Sequence, residues 1–185
     1  MTVVFTVIVV ALIAPALAPF DPTTQHLSLR LRPPRWLSGG DPRFALGTDH
    51  LGRDILSRLL YGARVSLPIA FAATTIGGIV GISLGLLSGY YRGAVDSIVS
   101  KLIDIQLAFP FILFAIAVMA VTGPKLTVLV LVLAARSWTT FARVVRGETL
   151  TISGNEYVLA ARALGATSAR VIGRHITPTS CPSLR

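Results

Sequence analysis

The stretch VSLPIAFAATTIGGIVGISLGLLSGYY, from Val65 to Tyr91, decides the fold of this chain. It contains no Asp, Glu, Lys or Arg. It is also longer than the roughly 20 apolar residues that a helix needs to cross a bilayer. The sequence therefore predicts a transmembrane helix over this stretch.

Four glycines within this stretch recur at strict four-residue spacing: Gly77, Gly81, Gly85 and Gly89. Residues at this spacing lie near one face of a helix, where small side chains let a neighbouring backbone approach closely. We interpret any single glycine as ordinary helix packing, and the whole stripe as a sign of a multi-helix bundle. The functional alternative is a tightly packed helix beside a translocation path.

The composition excludes an ordinary soluble domain. The chain is 53% hydrophobic and only 14% charged, whereas globular chains carry about 25% charged residues. Its mean hydropathy is +0.73. The net charge of +9 comes mostly from polar loops between apolar runs, so we expect lipid headgroups or a partner protein rather than nucleic acid. Cys181 is the single cysteine, so an intrachain disulfide is excluded. With only His26, His50 and His175 beside it and no suitable spacing, we expect no metal site. We also expect no cofactor.

Three further apolar runs extend the membrane prediction. Val3–Phe20 is interpreted as a first transmembrane helix, with a cleaved signal peptide as the alternative. Leu102–Gly123 predicts a third span with a kink at Pro110. The fourth run begins at Leu126 and must continue to about residue 145 in order to span. Its Arg136 would then snorkel, pair or face a polar cavity.

The segment SGNEYVLAARALGATSARVIGRHITP, residues 153–178, is polar by comparison. Its first four residues, Ser153 to Glu156, predict a capping box that begins a short helix. Gly165 would end that helix, and Pro178 would end a second one. The pattern predicts a helix–Gly–helix element. A surface hairpin without a partner is the alternative.

A second distinctive block is LGTDHLGRDILSRLLYGARVSL, residues 46–67. Asp49 and Asp54 bracket Gly52-Arg53 and offer turn and cap chemistry. The apolar residues that follow recur at helical spacing, which predicts an amphipathic helix lying at the membrane surface before the next span. A solvated connecting helix is the alternative, and no substrate contact is assigned.

Both blocks resemble one family. The segment 153–178 resembles the docking loop of bacterial ABC-importer permeases, with Ala160-Ala161 ahead of Gly165, Pro178 thirteen residues after it, and Leu159 where the family has Glu. The block 46–67 resembles C-type permease subunits of dipeptide, oligopeptide and nickel importers. The residues that carry this second motif are Gly47, Thr48, Asp49, Gly52, Arg53 and Asp54.

The resemblance implies an all-α polytopic integral membrane protein with about four transmembrane helices, located in the bacterial inner membrane. Its expected partners are a second homologous permease, two cytoplasmic ATP-binding subunits, an extracytoplasmic solute-binding protein and the lipid bilayer. ATP hydrolysis is expected in those subunits, since this chain has no Gly-rich phosphate loop ending in Lys-Ser or Lys-Thr. The residues expected to couple to the ATPases are Glu156, Ala160, Ala161, Arg162, Gly165 and Pro178.

The predicted organisation has four parts. Residues 1–20 form the first transmembrane helix, 21–64 an extracytoplasmic loop, 65–178 the permease domain and 179–185 a tail. Family members continue with two more spans, so we expect a truncated or frame-shifted permease. The alternatives are a non-functional remnant, a membrane scaffold and, least favoured, an intramembrane enzyme, because the spans offer only isolated polar groups.

Overall fold

The computed structural model describes residues 2–158, 164 and 166. In these residues it contains a short 3₁₀ turn at Leu27–Leu29, an isolated bridge between Thr48 and Asp54, and no β-strand. The helices are α1 (Thr2–Leu12), α2 (Ala14–Leu17), α3 (Ile55–Tyr91), α4 (Gly93–Ala108), α5 (Phe111–Thr122) and α6 (Leu126–Ser153). The all-α prediction is confirmed.

The chain divides into two compact units, Met1–Ile69 and Ala70–Arg185. In the first unit, a break at Ile13 splits the predicted first transmembrane helix into α1 and α2. Pro15 explains the break, because proline lacks an N–H donor and is favoured in the first turn of a helix. Neither helix has the roughly 20 residues that cross a bilayer, so this span stays a prediction.

Helix α3 corrects the prediction of a separate surface helix. The amphipathic segment after Asp54 runs without interruption into the apolar stretch, and both belong to one helix of 37 residues. No turn-forming dipeptide separates them, and Pro68 lies inside the helix. Proline is tolerated in apolar helices where neighbouring groups satisfy the freed backbone.

Helices α4 and α5 are bent by 86° across Phe109-Pro110. The predicted kink at Pro110 is confirmed, but the bend is large enough that Leu102–Gly123 is not one straight span. Residues 90–101, which join the second and third predicted spans, are mostly helical. The chain turns there at Arg92 and Gly93, which have φ angles of 54° and 56°.

Helix α6 is the predicted fourth span. It runs through Arg136 and ends at Ser153, later than the predicted end. By length and hydropathy, α3 and α6 are candidate membrane spans among the described residues, and α4 with α5 adds a third if the bent pair is one span. The difference from the four predicted spans lies in the N-terminal run and, if the bent pair is not one span, in α4 and α5 as well.

The predicted capping box at Ser153 is wrong. Ser153 is the last residue of α6, and its hydroxyl donates to the Leu150 carbonyl. Gly154 follows as the C-cap, and a helical turn resumes at 156–158. The preceding helix is long enough to use Ser153 itself, which a local pattern could not reveal. The predictions for Ala160, Ala161, Arg162, Gly165 and Pro178 lie outside the described residues.

Candidate functional site

The glycine stripe of α3 faces α6. A Cβ added at Gly77 or Gly81 would collide with Ser137 Oγ or the Trp138 carbonyl. A Cβ at Gly85 would lie 2.7 Å from the Ala142 carbonyl, and one at Gly89 would lie 2.6 Å from Thr149 Cβ. Real Cβ atoms do not approach so closely, so the two backbones can meet only where side chains are missing.

A polar tie, formed by Ser88, Asp96 and Arg146, joins three helices. The Arg146 guanidinium of α6 donates to both carboxylate oxygens of Asp96 on α4, with Nε–Oδ1 at 2.5 Å and Nη2–Oδ2 at 2.8 Å. The Ser88 hydroxyl of α3 also donates to Asp96 Oδ1. Two parallel charge-assisted hydrogen bonds set the orientation of both side chains as well as their separation.

Arg92 extends this contact to the end of α6. Its Nη2 donates to the Leu150 carbonyl at 3.2 Å and to Ser153 Oγ at 3.1 Å. The last carbonyls of a helix have no partner within the helix and carry partial negative charge, so a guanidinium stabilises them. The turn between α3 and α4 is thus attached to the place where α6 ends.

A hydrophobic cluster lies at the same end and is here called the helix-end cluster. Its buried members are Tyr90 of α3, Ile152 of α6 and Val158 of the following turn. Leu86 and Ala166 pack against them. The described start of the segment 153–178 is therefore packed against two helices at once. Glu156, the first predicted coupling residue, is exposed beside this cluster.

Helices α4 and α6 meet again farther along. The Gln106 side-chain amide donates to the Ala135 carbonyl and accepts from Trp138 Nε1 at 2.7 Å. Val99 and Ile103 of α4 bury themselves against Ala142 between the two polar contacts. Both ends of the Gln106 amide are satisfied, as a polar group in an apolar helix requires.

A cavity of about 630 Å³ lies where the bend between α4 and α5 faces α6. Its walls are mainly apolar and include Pro110, Phe114 and Trp138. Arg136 also lines it and is exposed. The sequence left three possibilities for Arg136: snorkelling, pairing with another group, or facing a polar cavity. The structure places it at a cavity, but that cavity is lined mainly by apolar residues.

The motif at 47–54 is built around two carboxylates. Asp49 accepts the backbone N–H groups of Leu51 at 2.8 Å and Arg53 at 3.0 Å, and it pairs with the side chains of Arg53 and Arg58. Burial by itself raises the pKa of Asp49, but the N–H donors of Arg53 and Leu51 and the Arg53 guanidinium lower it well below its usual range. The carboxylate therefore stays ionised and closes the turn.

The second carboxylate caps α3. Asp54 Oδ2 accepts the Ser57 backbone N–H at 2.8 Å and the Ser57 hydroxyl at 2.6 Å. This confirms the predicted cap chemistry. Gly47 and Gly52 have positive φ angles of 80° and 74°. A Cβ on either would collide with a carbonyl of the preceding loop, of Arg32 or His26 respectively.

Sequence reasoning missed the polar tie and the Gln106–Trp138 contact. The available signal was the isolated polar residue inside an apolar helix, which needs a partner. Spacing along the chain could not identify that partner, because Asp96 and Arg146 lie on different helices. The described residues contain no group of three His, Cys, Asp or Glu side chains that could hold a metal ion.

Long apolar helices, a glycine-mediated helix contact and paired polar groups inside the helices define a polytopic membrane protein. Residues 77–184 match the family described as the binding-protein-dependent transport system inner membrane component. The chain belongs to this family.

Curated relatives cover most of this chain. It is 40% identical to the dipeptide transport system permease protein of Haemophilus influenzae, over 93% of this chain and 58% of the relative. It is 44% identical to the di/tripeptide transport system permease protein of Pseudomonas aeruginosa, over 88% and 54%. It is 35% identical to the oligopeptide transport system permease protein of Bacillus subtilis, over 98% and 58%. The chain thus spans little more than half the length of these relatives.

Proposed function

We propose that this chain is a membrane-spanning permease subunit of an ATP-driven importer for peptides, or for related solutes such as nickel, in the bacterial inner membrane. The observation that carries the proposal is the match to the transport family across 77–184, together with relatives that are named as dipeptide, di/tripeptide and oligopeptide permeases. A second homologous permease, two ATP-binding subunits and an extracytoplasmic solute-binding protein complete the proposed transporter.

In this proposal the segment 153–178 receives the motion of the ATP-binding subunits. The arrangement of α6 and its neighbours supports that role, because the segment follows α6 directly and Val158 is fully buried in the helix-end cluster. Displacing this segment would therefore displace the ends of α3 and α6 together. A packed contact of this kind transmits movement that a solvated loop would absorb.

The polar tie would carry the same movement to α4. Arg92 bonds the end of α6, and Arg146 bonds Asp96 on α4. The contacts therefore form a continuous route from the segment 153–178 through α6 to the bent pair α4 and α5. The cavity lies at that bend, so a shift of α4 relative to α6 would change its size.

The docking surface itself is proposed to consist of Glu156, Ala160, Ala161, Arg162, Gly165 and Pro178. Glu156 is exposed and free to meet a partner. The two alanines would form a small, closely packing face, and the charged residues would form polar contacts at its rim. We further propose that the loop 21–64 lies on the opposite side of the membrane.

The experiment that tests docking is co-purification in detergent with the ATP-binding subunits of the proposed transporter. We compare the wild type with Ala161→Glu and Gly165→Pro, which alter the proposed surface. Gly147→Ala is the matched control, because a Cβ at Gly147 meets nothing within 4 Å. We expect the two surface variants to lose the ATP-binding subunits while the control retains them.

A wild-type chain that inserts stably into the membrane but retains no ATP-binding subunit would contradict the proposal and favour a remnant or scaffold. Substrate class is tested separately by uptake of labelled dipeptide, longer peptide and nickel in cells lacking other importers. We expect peptide uptake to depend on this chain. Nickel uptake alone would move the chain to the metal-importing branch.

A further inference from the structure

The loop before α3 contains an exposed stretch to which the proposed coupling route assigns no role. Residues 27–37, LSLRLRPPRWL, are here called the basic–aromatic arm. We propose that this arm binds anionic phospholipid headgroups of the surrounding bilayer, with the arginines at the phosphates and the apolar side chains at the headgroup–acyl boundary. The proposal concerns a lipid-binding surface and does not depend on coupling to ATPases.

The charge of the arm is one-sided. It contains Arg30, Arg32 and Arg35 and no acidic residue. All three are exposed, and none forms an ion pair within the described part of the chain. Asp41 is the nearby carboxylate. Hydrogen bonds from Arg43 lower its pKa to about 2, with the charge of Arg32 contributing at longer range. The arm therefore presents positive charge that its own unit does not neutralise.

Large apolar side chains alternate with these arginines and are also exposed. Leu31 is 70% exposed, Trp36 65% and Leu37 54%. Tryptophan and arginine beside leucine are typical of the membrane interface, where an aromatic ring lies at headgroup level and an aliphatic side chain reaches the acyl boundary. A soluble anion alone would leave the exposed leucines without a partner, whereas the headgroup–acyl boundary accommodates them.

The arm is held in place by the motif that follows it. The Leu31 N–H donates to the Asp49 carbonyl, and the Thr48 N–H donates to the Arg32 carbonyl, both at 3.0 Å. The Arg32 N–H also donates to Thr48 Oγ1 at 3.0 Å. Gly47 packs directly on the Arg32 carbonyl. The backbone of the arm is thus ordered before any lipid binds, which lowers the entropic cost of binding.

Position favours the lipid surface as the partner. The motif that holds the arm ends at Asp54, the N-cap of α3, and α3 is a candidate membrane span. The arm is therefore fixed within a few residues of a helix that enters the bilayer. Anionic lipids attract each basic residue near the surface, and the attraction decays within a Debye length, so this proximity is required.

The test uses Trp36 as its own reporter. The chain contains two tryptophans, so Trp138→Phe leaves Trp36 as the sole tryptophan, which is excited selectively over tyrosine. The purified protein is reconstituted into vesicles of phosphatidylcholine, with or without phosphatidylglycerol, that contain lipids brominated near the headgroup. We expect quenching of Trp36 and a blue shift of its emission, both increasing with the phosphatidylglycerol fraction and decreasing at high salt.

Two variants sharpen the result. Replacing all three arginines of the arm by Gln should abolish the dependence on phosphatidylglycerol. Arg43→Gln removes one charge nearby but outside the arm, where Arg43 already pairs with Asp41 at 2.7 Å, and should leave that dependence intact. If the triple variant fails to fold, the dependence of wild-type Trp36 quenching on the phosphatidylglycerol fraction still tests whether the arm binds anionic lipid.

The proposal is overturned if Trp36 is quenched by aqueous acrylamide in every vesicle and never by brominated lipid. It is also overturned if Trp36 becomes protected only when a soluble solute-binding protein is added, because the arm is then a protein interface. Equal lipid quenching with and without phosphatidylglycerol would reject the role of the arginines.

Discussion

Helix α6 packs against α3 and α4 by two different means. Against α3 the four glycines let the α3 backbone lie directly on α6, on backbone atoms and on side chains such as Ser137 and Thr149. Against α4 the contact depends on a few polar side chains, the Asp96–Arg146 pair and the Gln106–Trp138 bond, with a cavity beyond them. The first contact cannot shift without a steric clash. The second can rearrange by exchanging hydrogen bonds.

This difference suggests a division of labour within the second unit. Close-packed interfaces resist small displacements, because every atom already touches a neighbour. Polar contacts beside a cavity have alternative partners, including water. We therefore expect the contact between α3 and α6 to resist displacement more strongly than the contact between α4 and α6.

The largest expected effect comes from the close-packed contact. In Gly81→Ala the new Cβ meets the Trp138 carbonyl, so the helices must separate, and we expect a loss of about 3 kcal/mol in stability. The measurement is unfolding of the purified protein in detergent. Gly78→Ala is the matched control, because its Cβ would lie 3.7 Å from the tip of Phe141. Equal destabilisation by both variants would show that the stripe is not the contact.

The second effect concerns the polar tie. Asp96→Asn leaves the half-buried Arg146 without its carboxylate. We expect the free energy of unfolding to fall by about 2 kcal/mol. A double-mutant cycle with Arg146→Gln measures the coupling between the two side chains. Asp104→Asn, on an exposed position of the same helix, removes a carboxylate that acts on Arg146 only at longer range and should cost much less. Additive single-variant effects would mean that the pair contributes nothing.

A smaller effect is expected at the edge of the cavity. Gln106→Leu removes the acceptor of the Trp138 N–H, at a cost of about 1 kcal/mol. The readout is the emission of Trp138 in a Trp36→Phe background, which should change in wavelength as the N–H seeks water. Trp138→Phe removes the same hydrogen bond. The double variant should therefore lose less unfolding free energy than the two single variants added together. Unchanged emission would contradict the contact.

The smallest effect lies outside both helix contacts, in the Asp49 turn. Its folded pKa is lowered, so the ionised turn contributes stability above the unfolded value of about 3.9 and loses it as pH falls below that value. We expect ionised Asp49 to contribute about 1 kcal/mol or less to the free energy of unfolding, because neighbouring solvent screens the charges. Comparing acid unfolding of the wild type with Asp49→Asn isolates this contribution. Identical pH profiles would show that Asp49 does not contribute.

Local patterns predicted local structure well. The bend at Pro110, the cap at Asp54 and the long helix through Arg136 each follow from residues that are adjacent in sequence. The prediction failed where a neighbouring element decided the outcome. Ser153 was assigned to the next helix because a capping pattern describes only four residues, whereas α6 continues far enough to include it.

The candidate site was predicted only in part. The glycine stripe indicated a close helix contact, but periodicity could not identify α6 as the partner. Asp96 and Arg146 are separated by 50 positions, and no rule of spacing joins them. Their pairing depends on the turn at Arg92-Gly93 and on the long path through α5, which are properties of the folded chain.

By itself, the sequence determined the helical class, the membrane environment and the family, because hydropathy and motif spacing depend on neighbouring residues alone. Tertiary structure decided which helices α6 contacts, how the segment after it is attached, and where the cavity lies. It also decided that the motif at 47–54 holds the basic–aromatic arm. These features arise from contacts between residues that are distant in sequence. They are set by the requirement that buried backbone and side-chain polar groups find hydrogen-bond partners in the folded chain.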